Sequence, residues 1–133
     1  LHSQCFACGQ CADGLGLRFE TSGSDEVIAL WYCSNEYQGY PGIVHGGIVA
    51  TILDSAMTNC LLLRGIPAVT AEMHIRYRKP LVVGAEAKIT ATLVGRRANL
   101  FELKAEVAQG EVTVATATAR FVKASVWLEN GNA

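Results

Sequence analysis

Gly46-Gly47-Ile48-Val49-Ala50-Thr51-Ile52-Leu53-Asp54-Ser55-Ala56-Met57-Thr58-Asn59-Cys60-Leu61-Leu62-Leu63 is the stretch on which the fold turns. It shows no alternation of apolar and polar residues, and its length suits about five helical turns. Arg64 complements the carboxyl end of a helix dipole, Gly65 suits a terminating position, and Pro67 blocks continuation. A helix is therefore expected over 46–64. Ile48, Val49, Ile52, Leu53, Ala56, Met57, Cys60 and Leu61 cover most of its circumference, so it is buried on most sides.

Outward from this helix the period changes to two. Residues 17–20 and 26–33 precede it as strands, and 69–77, 86–94, 100–108 and 111–122 follow it. The turns expected between the last three are 95–99 and the two-residue link Gln109-Gly110, which makes them an antiparallel meander. In 69–77, alternation puts Val69, Ala71, Met73, Ile75 and Tyr77 on one side, and Thr70, Glu72, His74 and Arg76 on the other. One helix among five to six strands is accommodated most economically by a curved antiparallel sheet wrapped around it, an α+β architecture. The far face of that sheet, or its edge, then remains for a partner. No repeat or linker interrupts the chain, so 1–133 reads as one domain, with 1–14 a lead-in loop pinned by Phe6 and Leu15.

Composition narrows the function classes. Lys plus Arg is 11 and Asp plus Glu is 12, a net charge of -1, so there is no basic excess for a nucleic-acid backbone or an anionic membrane. The longest apolar stretches are broken by Gly, Asp, Ser or Arg, which excludes a spanning helix read from sequence. Half of the 133 residues are hydrophobic and mean hydropathy is +0.25, more than a small domain readily buries. The surplus points to an oligomer interface or a deep pocket. Five cysteines, an odd number, do not form a secreted disulfide framework, and a reducing, cytoplasmic setting is expected. The sequence starts at Leu1 rather than Met, which leaves room for residues upstream, and no targeting segment is visible. His2, Cys5, Cys8 and Cys11 recur at every third position. Four soft ligands so close together could close around zinc, but structural zinc sites usually bring two ligand pairs from separate turns, so a Cys/Gly-rich lead-in loop is the favoured reading and no metal or cofactor is assigned.

Two features carry chemistry. Asp54 is a charge in the middle of an apolar helix, with Thr51 and Thr58 at spacings of three and four on the same face. That stripe suits the lining of a polar-tipped pocket. His45-Gly46-Gly47 opens the helix, where backbone N–H groups lack intrahelical partners and the dipole is positive. Without side chains in the way, a ligand oxygen can approach those donors, as an oxyanion hole requires. Gly46 and Asp54 lie eight residues apart, about 12 Å along the axis at about 1.5 Å per residue. One carbonyl cannot touch both in the same chain. Two antiparallel helices side by side would bring each Asp54 opposite the other's Gly46, so a dimer with two shared sites is expected.

The run Tyr37-Gln38-Gly39-Tyr40-Pro41-Gly42-Ile43-Val44-His45-Gly46-Gly47, with Ala50-Thr51-Ile52-Leu53-Asp54, resembles the hotdog-fold thioesterases, specifically the PaaI-like acyl-CoA thioesterases. Cys5-Phe6-Ala7-Cys8-Gly9, Gly14-Leu15-Gly16-Leu17, Ala68-Val69-Thr70-Ala71 and Ile75-Arg76-Tyr77-Arg78-Lys79-Pro80 extend the likeness over nearly the whole chain. The resemblance implies a hotdog fold and hydrolysis of an acyl thioester to a free acid and coenzyme A, in a homodimer or a dimer of dimers. It implies that Gly46 polarises the carbonyl, that the partner's Asp54 is general base or nucleophile, and that His45 orders the loop. Gln38 matches the family's loop amide. Thr70 matches the small hydroxyl residue that holds water, with Thr58 as its rival. Gly47, Tyr40 and Met57 would line the substrate pocket, with Met73 and the lead-in loop also setting its depth. Arg96 and Arg97, with Arg76, Arg78 and Lys79, are candidates for the coenzyme A phosphates against a reading as ordinary solvated charges. No Gly-Lys-Ser/Thr phosphate loop exists, which excludes nucleotide hydrolysis. A hotdog hydratase or dehydratase and a non-catalytic acyl-CoA-binding dimer are the alternatives.

Overall fold

The long apolar run forms a helix and the alternating runs form one sheet in a computed structural model that describes residues 2–11 and 13–131. In chain order the elements are β1 (Glu20–Ser22), β2 (Glu26–Tyr32), a 3-10 turn at Asn35–Tyr37, α1 (Gly46–Leu62), β3 (Ala68–Tyr77), β4 (Glu86–Arg97), β5 (Leu100–Gln109), β6 (Val112–Lys123) and α2 (Ala124–Gly131). The strands pair antiparallel throughout, in the order β1-β2-β4-β5-β6-β3. β1 and β3 are thus the free edges. This is the α+β hotdog arrangement expected from the sequence.

The core lies between the sheet and α1. Ile89 of β4, Phe101, Leu103 and Val107 of β5, and Phe121 of β6 are buried against Ile52, Leu53, Met57, Cys60 and Leu61 of the helix. Alanines at 87, 91, 117 and 119 alternate with these large residues on the inner face and leave the helix room to approach. Phe101 and Phe121 are cross-strand neighbours and fill the space between them. Across β4, β5 and β6 the outer face of the sheet carries Lys88, Glu102, Lys104, Glu106, Thr118 and Arg120, all exposed. Leu30 and Tyr32 of β2 are exposed on it as well, so part of the apolar surplus lies there.

The amino-terminal residues form a strap that joins the same core. Ala7, Leu15 and Leu17 are buried, and Cys8 lies beside Ser55 and Asn59 of α1. The Trp31 indole N–H donates to the Leu15 carbonyl at 2.8 Å and the Tyr37 hydroxyl to the Gly14 carbonyl at 2.8 Å. These contacts correct two expectations. Phe6 does not pin the loop; it is half exposed, and Ala7 and Leu17 do the pinning with Leu15. Residues 17–19 are not strand, because the Leu17 N–H is taken by the Ala7 carbonyl, and pairing with β2 begins only at Glu20. A strap that tucks in every second residue alternates just as a strand does.

Other boundaries shift for local reasons. α1 ends at Leu62 rather than 64: Gly65 takes φ 78, its N–H bonds the Leu62 carbonyl, and Arg64 turns away to an ion pair with Asp25 at 3.1 Å. β4 continues through Gly95 to Arg97 because Val94 bulges out of register, and the turn shrinks to Ala98-Asn99, with Ala98 in the left-handed region at φ 54. The β5–β6 link is Gly110-Glu111, one residue later than expected, with Gly110 at φ 60. The short helix α2 was not expected at all.

The bulge that matters most is in β3. Thr70 pairs with Phe121 and Glu72 with Arg120, so Ala71 is an extra residue. Strict alternation would separate Thr70 from Met73 and Ile75. The extra residue instead turns Thr70 to the helix side, while Met73 and Ile75 still pack on the core.

Candidate functional site

The helix start is organised by its neighbours. His45 caps α1: its Nδ1 accepts from the Gly47 N–H at 2.9 Å, and its carbonyl accepts from the Ile48 and Val49 N–H groups. A Cβ on Gly47 would sit 3.2 Å from that Nδ1, which is why the capping geometry wants glycine. The Gly46 N–H donates to nothing among the described residues, so it is the helix-start donor left for a ligand. Gly46 is held from the other side, where the Tyr77 hydroxyl donates to its carbonyl at 2.8 Å.

Gly46 opens onto a cleft of about 840 Å³ lined by Tyr40, Pro41, Ile43, His45, Val49, Tyr77, Arg78, Lys79 and Leu81, among others. Tyr40 is largely exposed at its mouth. The loop forming one wall is tied down. Gln38 Oε1 accepts from the Gly42 N–H at 3.1 Å, leaving the Gln38 NH2 as its donor group, and the His45 N–H bonds the Tyr37 carbonyl. The opposite wall is fixed by a bulge at Val114, whose carbonyl accepts from the Arg78 and Lys79 N–H groups.

Asp54 lies two turns further along α1, half-buried, and Oδ1 accepts a hydrogen bond from the Thr70 hydroxyl. The hydroxyls of Thr51 and Thr58 donate back to the Gly47 and Asp54 carbonyls, both at 2.9 Å. Thr58 therefore spends its proton on the helix, and Thr70 is the residue that reaches the carboxylate. Met57 is fully buried in the core and does not line the cleft. Arg96 stacks its guanidinium over Phe101, 5.0 Å from the ring centroid, and sits in one cross-strand row with Phe101, Phe121 and Thr70. Arg97 is the next residue on that hairpin. Tyr77 lies seven residues beyond Thr70, about 23 Å along β3 at about 3.3 Å per residue.

One chain thus carries two separate polar clusters: Gly46 and Tyr77 with the cleft at one end, Asp54 and Thr70 at the other. Tyr77 was not singled out from the sequence. A hydroxyl bound to a main-chain carbonyl leaves no motif, and only its place at the end of β3 hints at it.

A family model described as the thioesterase superfamily matches residues 41–116, more than half of the chain. The chain belongs to the thioesterase superfamily. Among curated relatives, this superfamily member is 36% identical over 72 residues to the acyl-coenzyme A thioesterase THEM4 of Mus musculus, covering 52% of this chain and 31% of that protein. It is 42% identical over 76 residues to the acyl-coenzyme A thioesterase 13 of Mus musculus, covering 56% of this chain and 54% of that protein. The chain thus spans about a third to a half of the length of these relatives. Among solved structures, a hypothetical thioesterase protein with coenzyme A from Streptococcus pneumoniae superposes with a TM-score of 0.76 at 20% identity, covering 81% of this chain and 88% of that one. At that identity the likeness speaks for the fold.

A second cluster lies outside the cleft. His2, Cys5 and Cys8 bring their donor atoms together, with Cys8 Sγ 3.5 Å from His2 Nδ1. Burial raises the Cys5 thiol, yet the Cys8 and Ala7 N–H groups and the His2 ring outweigh it and bring it down to about 7. Burial pushes the Cys8 thiol up.

Proposed function

We propose that this superfamily member is an acyl-coenzyme A thioesterase working as a homodimer, with each site shared between two protomers. The observation that carries the reading is the separation of two groups: an unclaimed Gly46 N–H at the cleft, and a carboxylate held by Thr70 about 12 Å away along the same helix. The relatives' names support thioester hydrolysis, and the coenzyme A of the Streptococcus pneumoniae protein supports the substrate class. The free edge of β3 and the half-exposed stripe of Thr51, Asp54 and Thr58 support the dimer, since that edge lacks a neighbouring strand and its Thr70 bonds directly to Asp54 of the stripe.

In the proposed reaction the acyl chain enters the cleft and the thioester carbonyl accepts from the Gly46 N–H. The partner's Asp54, oriented by the partner's Thr70, takes a proton from water as the water oxygen bonds to the carbonyl carbon. Negative charge on the tetrahedral oxygen is stabilised by the Gly46 N–H and the helix dipole. The carbon–sulfur bond then breaks, and the coenzyme A thiolate takes the proton from the Asp54 carboxyl. Arg78 and Lys79 line the cleft and suit the phosphates. Arg96, in the same cross-strand row as Thr70 but three strands away, and its neighbour Arg97 would approach from the partner.

Thiol release from a panel of acyl-coenzyme A esters tests this directly. Release is expected from wild type and lost in Asp54→Asn. Release unaffected by that change removes Asp54 from the mechanism, and tight binding without release by wild type favours a non-catalytic acyl-CoA binder. Single turnover in 18O-water separates the two roles of the carboxylate. A base leaves Asp54 unlabelled, and label in the Asp54 side chain establishes a nucleophile.

A further inference from the structure

We propose that His2, Cys5 and Cys8 form a binding site for a thiophilic divalent cation, zinc by chemical class, which fastens the amino-terminal strap to the central helix. The three donor atoms lie within 4.8 Å of one another. A tetrahedral site with Zn–S of about 2.3 Å and Zn–N of about 2.1 Å has an S···N edge of about 3.6 Å. The separation of His2 Nδ1 from Cys8 Sγ is 3.5 Å, so that edge is already formed.

The single run of ligands at every third position converges because the backbone folds back on itself twice. The Cys5 N–H bonds the His2 carbonyl at 3.0 Å, the Gly9 N–H the Cys5 carbonyl at 2.8 Å, and the Gln10 N–H the Ser3 carbonyl at 2.8 Å. Gly9 permits this: a Cβ there would fall 2.3 Å from the Cys5 nitrogen and 2.5 Å from the His2 oxygen. These turns build one knuckle from a segment too short to bring two ligand pairs from separate loops. Cys11 stays outside the triangle, so the described residues supply three ligands.

The helix presents a matching outer layer. Ser55 and Asn59 are the two buried polar residues among those described, on a helix that is otherwise apolar around the core. They have no part in the cleft, and their side chains lie beside Cys8, where they can donate to a metal-bound sulfur. Asn59 is itself fixed by a 2.8 Å hydrogen bond to the Ser55 carbonyl. A Cys5–Cys8 disulfide would leave the imidazole of His2 without a role.

Titration of the full chain, reduced and stripped by chelator, with Co2+ tests the site by its absorption. Thiolate-to-cobalt charge transfer and tetrahedral ligand-field bands are expected at one equivalent per chain, displaced by Zn2+. Cys5→Ser, Cys8→Ser and His2→Ala should each weaken binding by more than about 100-fold, the upper end of what losing even an outer-shell partner costs. Cys11→Ser and Cys33→Ser should bind as wild type does. Zn2+ should raise the Tm of wild type and leave that of Cys8→Ser unchanged, with metal-free melting of the two compared to show that the variant folds. Absence of thiolate bands with excess Co2+, their survival in Cys5→Ser or Cys8→Ser, unchanged affinity in His2→Ala, or their loss in Cys11→Ser overturns the proposal. So does a protein that binds no metal when reduced and forms a Cys5–Cys8 disulfide in air.

Discussion

Replacing Gly46 by proline removes one hydrogen-bond donor and almost nothing else. Gly46 is the first residue of α1, the helical position where proline's missing N–H is not needed by the helix. His45 before it has φ -55 and ψ 135, the extended conformation a residue preceding proline prefers. A Cβ at this position meets the Tyr77 ring at 3.8 Å or more, an ordinary contact. Stability should therefore change by less than about 1 kcal/mol. Loss of one oxyanion donor costs about 100- to 1,000-fold in kcat, about 2.7–4 kcal/mol of transition-state stabilisation. The assay is thiol release, with thermal melting and dimer mass as controls. Mixing Gly46→Pro with Asp54→Asn chains sharpens it. Random exchange gives about half mixed dimers, each with one doubly damaged and one intact site, so about a quarter of wild-type activity should return. A folded, dimeric Gly46→Pro protein with activity within about threefold of wild type refutes the oxyanion role. Failure of the mixture to recover any activity refutes the shared site.

Thr70→Val leaves Asp54 without its hydroxyl partner and should lower kcat by about 10- to 100-fold, the worth of a hydrogen bond to a charged group, with KM little changed and Thr70→Ser restoring activity. A loss confined to KM would instead place Thr70 in substrate binding. Ala98→Gly should raise stability by up to about 1.6 kcal/mol in urea melts, because relief of left-handed strain of about 1–2 kcal/mol exceeds the added unfolded-state freedom of about 0.4–1 kcal/mol. A lower midpoint would show that the turn is not strained. Burial pushes the Cys33 thiol up to about 11, above its ordinary 9.0. The unfolded chain therefore releases this proton first, and stability falls as pH rises from 9.0 towards about 11. Cys33→Ala should flatten that slope, and an identical slope would assign the alkaline loss to other groups.

The helix was legible because every signal agreed: a glycine pair at the start, Gly65 and Pro67 at the end, and apolar residues around most of the circumference between. Five of the six strands stood out by alternation, and the β4–β5–β6 meander by the glycines and short spacings of its turns. Bulges were not legible. Ala71, Val94 and Val114 add a residue to a strand without altering its composition, so counting by twos from Val69 put Thr70 on the wrong side. The strap was misread for the opposite reason, since Leu15 and Leu17 alternate like a strand while bonding to other partners. At the site, Gly46 and Asp54 drew attention through backbone chemistry and a misplaced charge, both visible one residue at a time. The clasp of Tyr77 on Gly46 and the convergence of His2, Cys5 and Cys8 depend on where the chain returns to itself, which spacing alone does not encode.

A helix greasy on nearly every side also sets a problem of timing. α1 is complete before β4, β5 and β6 have been synthesised, yet those strands supply most of the surface that hides it. The strap is made earlier still but covers one side only. Until the meander has left the ribosome, Ile52, Leu53, Met57 and Leu61 face water or whatever binds them. The vulnerable moment in this protein's life is therefore its birth: slow translation downstream of Leu62, or a substitution that delays the β5–β6 hairpin, would prolong the exposure of the most adhesive segment in the chain.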